Sequence, residues 1–240
     1  MNSLDLTINK PLSLKFPAVY RYLDKEWIDL FFETGKLRIS SFRRFREFPD
    51  EIRGDKGEGS GAISASGPDT KFNFNLMGNL GRDGYMMSSS LRDSPDLEKQ
   101  FKTNSRFLIA DPLNFAVAIS NALAGCNHVF LGFCNYQKHR VVEKVIEGFS
   151  AKDFTNKEGN FIIGGPGMNK RMNEMVGSGI DLMYLKTEKY IDQVEFRFVW
   201  SLNEQFFKTE EFLDIEAKEA IQFCKRIPNR EDPTEAEQVD

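Results

Sequence analysis

The chain has 240 residues, a formal net charge of -4 and 40% hydrophobic content, with only 2 His and 3 Cys beside 22 Phe. The acidic balance argues against a protein whose main surface neutralises nucleic-acid phosphates, although it leaves room for a local basic groove. Two histidines are too few for a His-rich metal centre and three cysteines make no disulfide framework, so a reducing, cytoplasmic setting is expected.

The length fits one α+β domain over 1–226. The remainder, 227–240, is acidic with almost no apolar side chains, and is expected to be a disordered tail. Met1 to Pro17 carries Asp5 and Lys10, so neither a signal peptide nor a lipid anchor is expected, and no segment is long and apolar enough to span a bilayer.

Val19 to Tyr22 reads as a short strand. Asp24 is a candidate N-cap for a helix over Lys25 to Thr34, which Gly35 can end in the left-handed conformation. Trp27, Ile28, Phe31 and Phe32 would be its buried stripe. Lys36 to Phe42 alternates as a strand and runs into the basic, aromatic Arg43-Arg44-Phe45-Arg46. Gly54 to Pro68, headed by Asp50, Glu51, Asp55 and Glu58, lacks apolar periodicity and reads as a long exposed loop. Strands are expected at Lys71 to Leu76 and Tyr85 to Ser90, on either side of a glycine-rich turn. Ser94-Pro95 and Asp111-Pro112 mark two helix starts, the second helix running to Gly125, with a buried strand at Phe107 to Ile109 between them. Val129 to Tyr136 is a further strand. In the weakly patterned 151–181, two glycine clusters bracket a helix from Met168 to Val176, a layout suited to a mobile lid. Gln193 to Trp200 is a strand, and Ile215 to Arg226 a short helix.

The strand from Gln193 carries the sharpest chemical signal. Side chains alternate across it, so Val194, Phe196, Phe198 and Trp200 share one face and Gln193, Glu195 and Arg197 the other. An amide, a carboxylate and a guanidinium in line either pair across a solvated sheet face or form a site. Arg21, between Tyr20 and Tyr22, can offer a bidentate fork to a carboxylate or phosphate while the rings stack on a ligand. Ser88-Ser89-Ser90 places hydroxyls at a strand end, with Ser40-Ser41 as a competing cluster. Cys126, His128, Cys134 and His139 fit no usual zinc spacing, and the acids from Asp50 to Glu58 lack calcium-loop spacing, so no metal site is expected. Those acids would form a solvated loop face, or a charge-paired lid with Arg43 to Arg46.

Over most of 18–225, the order of these pieces resembles a widespread bacterial domain family of unknown function linked to the ADP-ribosyltransferase fold. The resemblance is carried by Val19-Tyr20-Arg21-Tyr22, Gly35-Lys36-Leu37-Arg38-Ile39-Ser40, the strand ending in serines, the Asp111-Pro112 helix and Gln193-Val194-Glu195-Phe196-Arg197. It implies an α+β fold with a mixed or antiparallel split sheet and flanking helices, and NAD as the substrate. It also implies Glu195 as the catalytic carboxylate, Gln193 as the acceptor-orienting residue, and Arg21 as the anchor for the NAD ribose or phosphate. Ser89 or a neighbour such as Ser88, or Ser40 from the competing cluster, would supply the nicotinamide-pocket hydroxyl, and Tyr20, Tyr22 and Arg197 complete the cofactor-binding set. Breaking the nicotinamide–ribose bond builds positive charge on the sugar, which a carboxylate stabilises. The implied setting is a cytoplasmic bacterial or phage-conflict effector that modifies a protein or nucleic acid, away from membranes. The alternatives are a non-catalytic binding module with Glu195 and Arg197 as a structural ion pair, and a nuclease or nucleic-acid binder using Arg43, Arg44 and Arg46.

Overall fold

A computed structural model describes residues 16–50, 54–68, 71–79, 84–176, 180–206 and 210–230. The first half of the chain forms β1 (Val19–Leu23), α1 (Lys25–Thr34), β2 (Lys36–Ser41), α2 (Phe42–Glu47), β3 (Ser60–Ser66), β4 (Asn73–Asn79), β5 (Gly84–Ser90), α3 (Pro95–Phe101), β6 (Ser105–Ile109) and α4 (Pro112–Ala122). The second half forms β7 (Cys126–Phe133), β8 (Asn135–Gln137), β9 (Val141–Val145), α5 (Pro166–Val176), α6 (Ile180–Met183), β10 (Leu185–Thr187), β11 (Glu195–Leu202), β12 (Phe212–Glu216) and β13 (Cys224–Arg226). The fold is mixed α+β, and every pairing in its main sheet is antiparallel.

That sheet has eight strands in the order β12-β2-β5-β1-β6-β13, with β11 along the other edge of β5 and β7 outside β11. It forks at β5. Among the described residues β2 joins at Ser40↔Met86 and Ser41↔Tyr85, whereas β1 joins only at Tyr20↔Ser90. Backbone groups of alternate residues point to the same edge, so on the edge shared by β1 and β2 Ser88 lies between the two branches with no strand opposite it. The Arg21 guanidinium fills the missing rung, Nη1 donating to the Ser88 carbonyl at 2.5 Å.

The main core lies between the sheet and helices α1 and α4. Phe31 stacks on Phe107, Phe115 meets Phe198 edge-on, and the Trp200 indole N–H donates to the Ala116 carbonyl at 3.1 Å. A second apolar cluster, with Ile63, Phe149, Phe154, Met175 and Leu185, packs under the three-stranded sheet β4-β3-β9. Helix starts follow their local chemistry: Ser94 accepts from the Asp96 N–H, and Asp111 from the Asn114 N–H. Gly35 ends α1 at φ 77°, and an added Cβ would lie 2.6 Å from the Lys218 backbone nitrogen.

Four expectations are corrected. Gly54 to Pro68 contains β3, whose inward Ile63 and Ala65 are buried; its small residues give no hydrophobic alternation. Val129 to Tyr136 is broken at Cys134, because the Cys134 N–H turns to the Glu195 carbonyl and the Asn135 N–H to the Tyr184 carbonyl. Ile215 to Arg226 is not a helix: the free edges of β2 and β6 recruit β12 and β13, leaving a 3₁₀ turn over Lys218–Phe223. Within 151–181, α5 does not stand free as a lid. Arg171 ties it down through the Glu147 and Gly148 carbonyls and Asp153.

The first four residues of the expected tail are also held. Asn229 accepts from the Ser105 hydroxyl, and Arg230 pairs with Asp93 and Glu98. The rest of that segment, together with residues 1–15, Glu51 and the 177–179 glycine cluster, lies outside the described residues. Among the described residues no helix is long and apolar enough to cross a membrane.

Candidate functional site

The fork opens into a cleft of about 360 Å³. Its lining includes Arg21 and Tyr22 from β1, Ser40 from β2, Ser88 and Ser89 from β5, Gln193 from the turn before β11, and Glu195 from β11. Seven of the nine site residues expected from the sequence therefore meet in one place. Tyr20 and Arg197 do not line it.

The strand expected from Gln193 begins two residues later, at Glu195, because Gln193 ends a 3₁₀ turn and Val194 is left-handed; from Glu195 on the alternation holds, but the charged face is not solvated. Phe196, Phe198 and Trp200 point into the main core, and Glu195 and Arg197 point the other way into a second buried layer. Arg197 has no exposed surface at all. Its Nη1 and Nη2 hold the Glu58 carboxylate at 2.5 and 3.0 Å, Nη1 also donates to the Met183 carbonyl, and Nε holds Glu195 Oε1 at 2.6 Å. Arg197 thus positions the carboxylates from behind the wall, in place of the cofactor contact expected of it.

Glu195 is gripped on every side. Oε1 also accepts from the Ser88 hydroxyl at 2.6 Å, Oε2 accepts from Lys186 Nζ, and its backbone N–H donates to the Tyr136 hydroxyl at 2.8 Å. Burial alone would raise its carboxyl, but the charges and hydrogen bonds of Arg197 and Lys186 outweigh it and hold the group well below the usual carboxylate range. Glu58 goes the other way: burial raises it, and the charges of Arg197 and Lys186 offset only part of that. Lys186 also donates to Gln193 Oε1 at 2.8 Å and rests over the Tyr190 ring. Val194, between Gln193 and Glu195, sits at φ 40°, a conformation a β-branched residue rarely adopts, so the backbone that aims this pair is strained.

Arg21 differs from Arg197. It forms no ion pair among the described residues, and its buried Nε lacks a hydrogen-bond partner. Burial lowers its guanidinium to about 10, with the nearby Glu195 charge acting in the opposite direction. It stays a cation at neutral pH. The hydroxyls of Ser89 and Thr103, both cleft-lining residues, are likewise buried without partners.

Register separates the serines. Ser88 and Ser90 lie opposite Arg197 and Glu195 and share their face, whereas Ser89 lies opposite Phe196 and so points its side chain away from Glu195. Ser88 therefore supplies the hydroxyl that meets the carboxylate. The Tyr22 hydroxyl is consumed structurally, donating to the Arg92 carbonyl and accepting from the Ser94 N–H.

Sequence reasoning missed Lys186, Glu58 and Asp55. Asp55 is paired with the Arg140 guanidinium, so neither acid belongs to a solvated loop face. It also missed the aromatic mouth. Trp27, expected in the core, is 46% exposed and lines the cleft with Phe48 and Phe212, with Arg38 lying over the Trp27 and Phe212 rings. Within the basic Arg43 to Arg46 stretch, Arg43 pairs with Glu47 and Arg44 with Glu211, while Arg46 donates to the Glu58 carbonyl. No group of three or more metal-ligating side chains occurs among the described residues. The chain matches no family model, no curated protein and no solved structure.

Proposed function

We propose that the cleft binds NAD and that the protein is an ADP-ribosyltransferase-like enzyme in which Glu195 stabilises positive charge on the ribose. The convergence of Arg21, Ser40, Ser88, Gln193 and Glu195 on one cleft at a fork in an antiparallel sheet carries this reading. A carboxylate fixed by three donors and kept ionised needs no reorganisation as cationic character develops on the sugar. Arg21 offers a cation with unspent donor capacity to a diphosphate, and the rings at the mouth offer stacking surfaces to a base. The setting this implies is a cytoplasmic effector of bacterial or phage-conflict type acting on a protein or nucleic acid. Nicotinamide release from labelled NAD tests the reading. Glu195→Gln is expected to lower the rate by about 100-fold or more, and equal release by both proteins ends the assignment.

A second reading is favoured by one observation: both oxygens of Glu195 are already occupied, as they would be in a purely structural charge network. A non-catalytic binding module on the same scaffold expects Glu195→Gln to lower the melting temperature, with no nicotinamide released by either protein.

A further inference from the structure

The ammonium of Lys186 occupies a particular place. It bridges Gln193 Oε1 and Glu195 Oε2, the two oxygens on which the N–H groups of a cationic acceptor would have to dock. It is not a loosely held surface lysine. Its backbone lies in β10, opposite Tyr136 of β8, and its head group packs over Tyr190, whose hydroxyl donates to the Gly54 carbonyl. The neighbouring carboxylates cannot neutralise an incoming cation, because Glu58 is committed to Arg197 and Asp55 to Arg140. Arg21 adds a second cation on the β1 side, and the remaining lining acid, Asp24, lies at the exposed mouth. Arg21 and Lys186 line the inner wall, Arg197 stands behind it, and these three cations meet Glu58 and Glu195, while Asp55 is held by Arg140.

We propose that Lys186 is a charge selector that closes the Gln193–Glu195 edge of the cleft to cationic acceptors. Resting on the NAD-cleaving reading above, it directs the ADP-ribosyl group to an uncharged or anionic oxygen nucleophile, water included, and away from guanidinium or ammonium side chains. In that step the bond from C1′ to the nicotinamide nitrogen breaks and nicotinamide leaves with the electron pair. A lone pair of the acceptor oxygen forms the new C1′–O bond, and a hydroxyl acceptor loses its proton to solvent. Discrimination comes from repulsion: a guanidinium placed at Gln193 must either sit beside the ammonium or displace it from two hydrogen bonds in a water-poor site.

The test incubates the full chain with NAD and agmatine, a free guanidinium compound, and measures how product divides between ADP-ribose and the agmatine adduct. Wild type is expected to give ADP-ribose with only a trace of the agmatine adduct. Lys186→Met is expected to lower total turnover, since Glu195 loses a donor, yet to raise the agmatine share by about 100-fold; Lys186→Arg, which keeps the charge, should restore exclusion. An agmatine adduct from wild type at a rate comparable with hydrolysis, or an unchanged share in Lys186→Met, overturns the proposal. Absence of nicotinamide release from wild type ends the catalytic reading instead, and calorimetry then decides the selector. Agmatine bound only by Lys186→Met supports it, and equal affinity of agmatine for both proteins, or no affinity for either, overturns it.

Discussion

The inner wall of the cleft and its mouth are built from the same kind of pair, an arginine on a carboxylate, in opposite surroundings. At the mouth, Arg38–Asp214 and Arg44–Glu211 close at 2.7 and 2.9 Å with every partner more than a third exposed. Inside, Arg197–Glu58 closes at 2.5 Å with its side chains 0% and 2% exposed. Water screens the first kind, which typically contributes about 0–1 kcal/mol. The second has lost its hydration, so its geometry is enforced by the cost of leaving either partner alone. Charge pairs at the mouth shape recognition; those within determine whether the wall exists.

The comparison breaks most visibly at Arg197. Arg197→Met leaves Glu58 and Glu195 buried without their guanidinium and is expected to cost about 3–5 kcal/mol in denaturant unfolding. A loss below about 1 kcal/mol would mean that the wall behaves like the mouth. Acid unfolding sharpens the contrast further. Glu195 has a folded pKa below its unfolded value, so its stabilisation is present at neutral pH and is lost as pH falls through the folded value. The stability gap between wild type and Glu195→Gln should therefore narrow on acidification below about pH 4, and a gap independent of pH would contradict the network. Glu58 works in the reverse sense: its raised pKa means that ionising it costs stability as pH rises from the unfolded value through the folded one. The smallest effect belongs to the mouth. Arg38→Ala should change stability by less than about 1 kcal/mol, and a thermal melt showing more would give the rim pairs the weight assigned here to the wall.

Much of this was legible wherever the cause is local. Ser94-Pro95 and Asp111-Pro112 mark real helix starts because a cap needs only its own next few residues. Arg21, Ser88 and Glu195 could be picked out because polar side chains recurring on a strand need an explanation that a core cannot give. Glu58 and Lys186 could not be, since their meaning depends on partners brought together by the tertiary fold. Glu58 meets Arg197 across 139 residues of chain, and in sequence it is one acid in a glycine-rich stretch. β12 and β13 were missed for a related reason. The spacing of Ala217, Ala220, Ile221 and Cys224 suits a helix, but the unfilled edges of β2 and β6 decide the outcome. Pattern reports a segment's own preference and is silent about the vacancies elsewhere in the fold.

The single rung between β1 and β5 has a mechanical consequence. Among the described residues Tyr20↔Ser90 is the only register pair joining the β1-β6-β13 wing to the rest of the sheet, and beyond it the seam is closed by a side chain, Arg21 on the Ser88 carbonyl. Strands within a ladder are held at a spacing of about 4.8 Å, whereas a guanidinium on a flexible stem sets no such spacing. Across the cleft the two wings are therefore held by side-chain contacts and a shared core in place of a continuous backbone ladder.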